Sequence, residues 1–315
     1  MRVSIIVPVL NRERLILRCL DSIGAQTMLP AEIIVVDNGS DDNTLEVVNK
    51  WREDFYLHCD KEASKVDIKI LEEPERGVCA ARQRGLEEST GDLLYFFDSD
   101  DAMDKNLIAK AYEEFCSKEE PDLVCWQCRI HLLDGKVKVP HFQWHNAMES
   151  HLIDTLLRTQ GYMIKRNFLL KAGGWNKRLP VWNDMELGAR ILLNHPSIKG
   201  IPRILADIYS QKQSITGTAF SLREGEWEYS LDMIRKDAAE AGHPSQHKIE
   251  KIITYREIVL AATYHREGNR NGAAILKGKA LHRLRWKDAV LMHLVYQYTR
   301  LGGRGAWRIV RNFYL

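Results

Sequence analysis

Apolar and polar positions along the first hundred residues alternate between two periods. The β-branched run VSIIVPVL (3–10) predicts a buried strand, and RERLILRCLDSIGAQ (12–26) follows at helical spacing, with Leu15, Cys19, Leu20 and Ile23 on one stripe. AEIIVVDNGS (31–40) reads as a second strand and DDNTLEVVNKW (41–51) as a second helix. DIKILEEP (67–74), GVCAARQRGLEEST (77–90) and DLLYFFD (92–98) continue as strand, helix and strand. Strand and helix taking turns predict an α/β domain whose parallel strands are joined by crossover helices. In such a sheet ligands collect outside the carboxyl ends of the strands. Pro8 to Asn11, Asp37 to Ser40, Glu72 to Arg76 and Asp98 to Asp101 therefore share one edge.

From about residue 120 the pattern loosens. DLVCWQCRIHLLDGKVKVP (122–140) predicts two strands around the turn Asp134-Gly135, and SHLIDTLLRTQGYMIKRNFLLKAGGW (150–175) predicts helix around a short break at Gly161. After IYSQKQSITGT (208–218) the chain turns helical and charged. The expected division is a catalytic or binding domain over 1–216 and a helical, basic region over 217–315.

The strand ends carry the candidate chemistry. LLYFFDSDDAMD (93–104) sets four carboxylates directly after five apolar residues, where like charges repel unless a cation joins them. Asp98 and Asp100 fall on one face if the backbone stays extended, and hard divalent ions favour such oxygens together with a substrate phosphate. The same acids also suit a turn that caps a helix starting near Lys105. Asp37 and Asn38 offer acceptors for a nucleobase N–H and ribose hydroxyls, or a cap for the next helix. In WNDMEL, Asp184 is either a general base or the cap of a helix striped by Leu187 and Ile191; Glu186 points away from a helix-start site.

Four stretches in this order, SIIVPVLNRERLILRCLDSIGAQT, EIIVVDNGSDDNT, ERGVCAARQRGLEESTGDLLYFFDSDD and GGWNKRLPVWNDMELGARIL, resemble the inverting family 2 glycosyltransferases of GT-A fold. The resemblance covers roughly residues 1–216. It implies transfer of a sugar from a nucleotide diphosphate sugar, UDP-linked by expectation, to a hydroxyl of a glycan or lipid-linked acceptor in polysaccharide biosynthesis. It also implies that Pro8, Val9, Asn11, Asp37 and Asn38 surround the uridine, with Arg76 and Arg82 near it or the diphosphate. Asp98 and Ser99 would approach the ribose, Asp100 would coordinate Mn²⁺ or Mg²⁺, Lys212 would contact the diphosphate, and Asp184 would be the catalytic base. Trp175 and Trp182 flank that base, either as a platform for an acceptor sugar or as packing. The chain departs from the family pattern at Leu10 (usually aromatic), Asn38 (usually aspartate), Asn183 (usually an acid) and Lys212 (near a histidine position). A sugar nucleotidyltransferase would need a glycine-rich phosphate loop that VPVLNRERL lacks, and a non-catalytic relative is the remaining alternative.

Composition adds little until the C-terminus. With 315 residues, 45% hydrophobic and 28% charged, the chain reads as a soluble protein with a sizeable core. Its first apolar stretch is eight residues long and interrupted by Pro8, which fits a strand better than a signal peptide, and no run approaches the length that spans a bilayer; a cytoplasmic location is expected. Six scattered cysteines suit reduced thiols, and Cys125 and Cys128, three apart in a strand-like stretch, should face opposite ways. The net charge of +2 conceals nine cations from Lys277 onward (Lys277, Lys279, Arg283, Arg285, Lys287, Arg300, Arg304, Arg308, Arg311) against one acid, Asp288. Interleaved with Trp286, Leu291, Tyr298, Trp307 and Phe313, they suit either a helix lying on an anionic membrane surface or a solvated basic face. No nucleic-acid recognition motif accompanies them.

Overall fold

A computed structural model describes residues 1–314 apart from 59, 62, 141–145 and 212–217. The described chain divides into two compact units, Met1–Trp144 with Leu156–Ser210, and His145–Thr155 with Gln211–Leu315. This differs from a single cut near 217 in that residues 145–155 count with the C-terminal helices.

In chain order the first unit runs β1 (Val3–Val9), α1 (Ile16–Gly24), β2 (Glu32–Asp37), α2 (Thr44–His58), β3 (Asp67–Glu72), α3 (Val78–Glu88), β4 (Leu93–Phe96), β5 (Ala102–Met103), α4 (Leu107–Phe115), β6 (Leu123–His131) and β7 (Val137–Lys138). Helix α5 (Ala147–Asp154) belongs to the second unit, and the first resumes with β8 (Tyr162–Lys165), α6 (Arg166–Lys171), α7 (Asn183–Leu193) and β9 (Ile198–Tyr209). One sheet takes the order β3-β2-β1-β4-β8-β6-β9-β5, with β7 paired to β6. The strands from β3 to β4 are parallel, as the alternating sequence predicts; β8 then runs antiparallel to both β4 and β6.

Every residue of β1, β2 and β4 is buried, which explains why their sequences are mainly apolar on both faces, with Ser4, Glu32 and Asp37 the polar exceptions. On α1 the buried residues are Ile16, Cys19, Leu20 and Ile23, close to the predicted stripe. The segment 150–175, expected to be helical on both sides of a short break at Gly161, holds a strand just after that break. Helix α5 ends at Asp154, and Tyr162 to Lys165 form β8, inserted between β4 and β6. A run of three apolar residues, Tyr162 to Ile164, fits either period, and its pairing with strands about 40 and 70 residues away decides the outcome. Cys128 lies in the core with Val124 and Trp126 while Cys125 turns to the other side of β6, and burial pushes the Cys128 thiol up to about 12.

Opposite the ligand edge, Glu32 fastens three elements. It is 1% exposed and accepts the Ser4 hydroxyl at 2.5 Å, the Thr90 hydroxyl and N–H at 2.6 and 2.9 Å, and Lys69 Nζ at 3.0 Å. Burial pushes its carboxyl up, and these donors more than offset that, pulling it from 4.5 to about 2. A depressed carboxyl contributes stability above its ordinary value, and that contribution is lost as pH falls towards about 2. Glu32→Ala should cost roughly 3 kcal/mol in urea unfolding at neutral pH, and the difference from wild type should shrink over that acidic window.

The second unit adds α8 (Glu226–Glu240), α9 (Gln246–Arg266), α10 (Arg270–His282), α11 (Trp286–Arg300) and α12 (Trp307–Phe313) to α5. Buried acids between cations knit it together. Glu149 of α5 meets Lys248 at 2.6 Å and Arg311 at 3.0 Å, and Glu257 of α9 meets Arg235 at 3.0 Å as well as Arg283. Among the described residues no helix is long and apolar enough to cross a membrane.

Candidate functional site

The loops after β1 and β2 leave the sheet side by side. The Val9 carbonyl accepts the Asn38 N–H at 2.9 Å, the Asn11 N–H donates to Ser40 Oγ at 2.9 Å, and Asn11 Oδ1 accepts the Asp41 N–H at 2.9 Å. Asn11 holds a left-handed φ of 52° to make this exchange. Asp37, 2% exposed, accepts the N–H groups of Gly39 and Ser40 at 3.0 and 2.9 Å and also the Ser40 hydroxyl, leaving about one of a carboxylate's four acceptor positions. Gly39 turns at φ 84°, a left-handed conformation that favours glycine, with the Arg76 guanidinium packed close against it. Arg76 is exposed and donates to the Asn38 and Gly39 carbonyls, each at 3.0 Å.

Asn38 is not presented to a ligand as expected. Its Nδ2 donates to the carbonyls of Glu73 and Glu75 at 2.9 and 2.7 Å, and its Oδ1 accepts the Gly77 N–H at 2.7 Å. Both amide donors are consumed in clamping this loop to the start of α3. Pro8 and Val9 are buried in β1, so side-chain contact with a nucleoside from either is excluded and only their backbone reaches the edge.

The acidic turn after β4 is built around Gln160, a residue that no sequence pattern singles out. Its Nε2 donates to Asp98 Oδ2 at 2.6 Å and to Asp101 Oδ2 at 2.7 Å, while its carbonyl accepts Trp126 Nε1–H at 2.8 Å and the Tyr95 hydroxyl at 3.1 Å. Asp101, 1% exposed, also accepts the Tyr209 N–H at 2.8 Å. Burial, then the charges of Asp98 and Asp100, push its carboxyl well above the usual range. Ser99 is buried beside it. Asp100 is left in a different state. Its side chain is 18% exposed, with Arg12 Nε 3.6 Å away, and Arg18 donates to its main-chain carbonyl. Burial and the Asp98 charge raise its pKa. Among the described residues no group of three or more His, Cys, Asp or Glu is arranged to hold a metal. A single under-neutralised carboxylate nevertheless fits Mg²⁺ or Mn²⁺, which bind through one or two carboxylates plus substrate phosphates.

Arg82 joins this edge to α7. On α3 and 4% exposed, it donates Nη2 to Asp98 Oδ1 at 2.6 Å and Nη1 to Asn183 Oδ1 at 2.9 Å. Its guanidinium lies 4.6 Å over the Trp175 ring, which meets Phe96 edge-on at 5.2 Å. Trp175 is 3% exposed, so it is the floor beneath Arg82 and has no open face for a sugar. Trp182 is partly exposed in the left-handed region, φ 46°, directly before α7. Asp184 follows, partly exposed, with Oδ1 accepting the Met185 N–H at 2.9 Å. Burial pushes its carboxyl up, and Arg82 and Arg158 pull it part of the way back. Glu186, 1% exposed, is committed to Arg190 through bonds of 2.6 and 2.8 Å, and Arg190 in turn holds the carbonyls of Ala172 and Gly174. Asp184 is thus the acid of WNDMEL that keeps an oxygen to spare. Lys212 lies outside the described residues.

The structure therefore brings together Asn11, Asp37 and Arg76 as one group and Asp98, Arg82 and the start of α7 as another, with Arg12 and Asp100 between them. Sequence reasoning missed Gln160, Arg12, Arg18 and Arg158. Arg18 also stacks 3.8 Å over Tyr209, against which His131 stacks at 4.5 Å, itself 2.6 Å from Asp207.

Residues 4–173 match the model of Glycosyl transferase family 2, more than half of the chain. A glycosyltransferase named for PGL/p-HBAD biosynthesis in Mycobacterium bovis is 27% identical over 221 residues, covering 68% of this chain and 79% of that protein. Glycosyltransferase GlyA of Streptococcus pneumoniae is 36% identical over 115 residues, which cover 36% of this chain but 15% of that protein. Among solved structures, S. aureus TarS 1–349 in complex with UDP superposes with a TM-score of 0.64 at 18% identity, over 96% of this chain and 92% of that one, and so shares its fold.

Proposed function

We propose, because the chain belongs to glycosyl transferase family 2 and is a glycosyltransferase of GT-A fold, that it moves a sugar from a UDP-linked donor to a hydroxyl of a glycan or lipid-linked acceptor, with inversion. The observation that carries this reading is the double hydrogen bond of Arg82, which makes Asp98 at the donor edge and Asn183, the neighbour of Asp184, parts of one rigid unit. Displacement at the anomeric carbon needs a base on the side of the acceptor, opposite the departing diphosphate. Asp184 takes the acceptor proton, as its spare oxygen and raised affinity for protons suit it to do. Asn11, Asp37 and Arg76 line the nucleoside side, with Asn38 shaping their loop, and Asp98 and Ser99 stand toward the ribose. When bound, Mn²⁺ or Mg²⁺ supplies charge neutralisation to the leaving diphosphate, and Asp100 is the residue that would hold it. Uridine is favoured by the last acceptor position on Asp37 and by the UDP in TarS.

Calorimetric titration of UDP, GDP and TDP, each with and without Mn²⁺, tests the proposal. UDP should bind in the presence of metal, and Asp100→Ala should weaken it by about tenfold or more, the scale of one lost interaction with a charged group. Preferential binding of GDP or TDP would overturn the uridine assignment, and no binding of any of the three would overturn the site. Incubation with the donor should release nucleoside diphosphate; release of pyrophosphate from a nucleoside triphosphate would favour a nucleotidyltransferase instead.

A further inference from the structure

Helix α11 has two faces of nearly equal apolarity, and its own unit covers one of them. Met292, Val295, Tyr296 and Thr299 are buried. Turned away from them, Trp286 is 73% exposed, Val290 54%, Leu294 59%, Tyr298 46% and, just past the end of the helix, Leu301 80%. At 100° per residue these positions span an arc of about 120°, and they extend over roughly 22 Å of helix. Within that arc the one charge is Lys287, whose Nζ lies 5.6 Å from the Trp286 ring. Single exposed apolar residues are ordinary, but a continuous row of five marks a surface that meets something other than water.

The charges around the row decide what that is. Arg285 and Lys287 stand at its start and Arg304 and Arg308 beyond its end, all exposed, and none forms an ion pair among the described residues. Asp288, the one acid from Lys277 onward, sits on the flank toward the packed side. Pairing of this face with a second copy sets cations against cations in either orientation, because both ends are basic. A nucleic acid would satisfy the cations but has no use for an apolar row. An anionic bilayer satisfies both, taking the row below the headgroups and the cations at their level, with Trp286 and Tyr298 at the boundary where aromatic rings with one polar end settle.

We propose that the outward face of α11 docks this protein on an anionic phospholipid surface. The proposal does not depend on the identity of the donor or on Asp184, and its test needs no catalysis. The full-length protein is sedimented with phosphatidylcholine vesicles, with and without phosphatidylglycerol, at low and high salt. Binding is expected with phosphatidylglycerol, weakening as salt rises. Val290→Glu with Leu294→Glu should lower the partition coefficient by about a hundredfold. Arg285→Gln with Lys287→Gln should lower it by about thirtyfold. All four positions are exposed, so melting curves should match wild type and loss of binding cannot be ascribed to unfolding. Equal pelleting with both kinds of vesicle, or unchanged binding by the glutamate variant, overturns the proposal. So does a wild-type dimer that ignores vesicles and that the glutamate variant dissociates, since the occupant is then a second copy of the chain.

Discussion

Asp184→Asn should lower kcat by about a thousandfold while leaving nucleotide affinity within about twofold of wild type. The substitution separates the two roles that the sequence leaves open. Asparagine keeps the oxygen that accepts the Met185 N–H, so a residue that only satisfied an N–H in the first turn of α7 would tolerate the change. A base would not, because the amide cannot take a proton. The pH dependence gives an independent reading. Burial raises the Asp184 carboxyl above its ordinary 3.8, and the ionised form is the active one, so kcat/KM should rise with pH through a limb above that value. Below the limb the protonated acid cannot accept from the acceptor hydroxyl. The sign would be opposite for a general acid. Transfer within tenfold of wild type in the variant, or a tenfold loss of nucleotide affinity with kcat intact, would remove Asp184 from the role of base.

Much of the first unit was legible in the sequence because its physics is local. Strands buried on both faces are apolar on both, so the cores of VSIIVPV, EIIVVD and LLYF declare themselves, and the ligand edge follows from where they stop. The misread segment fails for the opposite reason. YMIK becomes a strand by pairing with β4 and β6, and three apolar residues between two helices carry no period of their own. Helix α2 continues to His58, seven residues beyond the predicted stretch, since its mixed polar sequence marks no end at Trp51. In the site, residues at the strand ends were found, whereas Gln160, Arg12, Arg18 and Arg158, which reach it from other elements, were not. Gln160 bridges two aspartates and fixes two aromatic side chains, yet a lone glutamine in a short turn has no sequence signature. Asn38 and Asn183 stand out as departures from the family, and the structure gives each a bond network that an amide can fill, one bracing a loop and the other receiving Arg82. Trp175, which the sequence leaves open between a platform and packing, is a floor; sequence cannot tell which side of an indole is covered.

The second large effect belongs to that arginine. Arg82→Met should destabilise the protein by roughly 3 kcal/mol, because it strands the Asp98 and Asn183 acceptors beside a cavity over Trp175. The figure sits at the lower end for a broken buried pair, since the Asp98 side chain is 30% exposed and water recovers part of its solvation. Arg82→Lys should fare little better: one ammonium cannot donate along two planar directions and lie flat on an indole at once. Stability alone would be compatible with a purely structural residue, so the discriminating comparison is made in the Asp98→Asn background. With the acid neutralised, Arg82→Met should cost less by about 1–3 kcal/mol in urea unfolding, the coupling of two groups in direct contact. Asn183→Ala leaves the Asp98 bond in place but strands the buried Nη1–H of Arg82, so it should cost about 1–3 kcal/mol. If Arg82 also sets the position of Asp184 through Asn183, the same variant should lower kcat while nucleotide affinity stays unchanged, because the donor edge keeps its cation. Additive costs in the Asp98 cycle would mean that the two residues do not interact in solution, and unchanged kcat in Asn183→Ala would confine Arg82 to holding the donor edge.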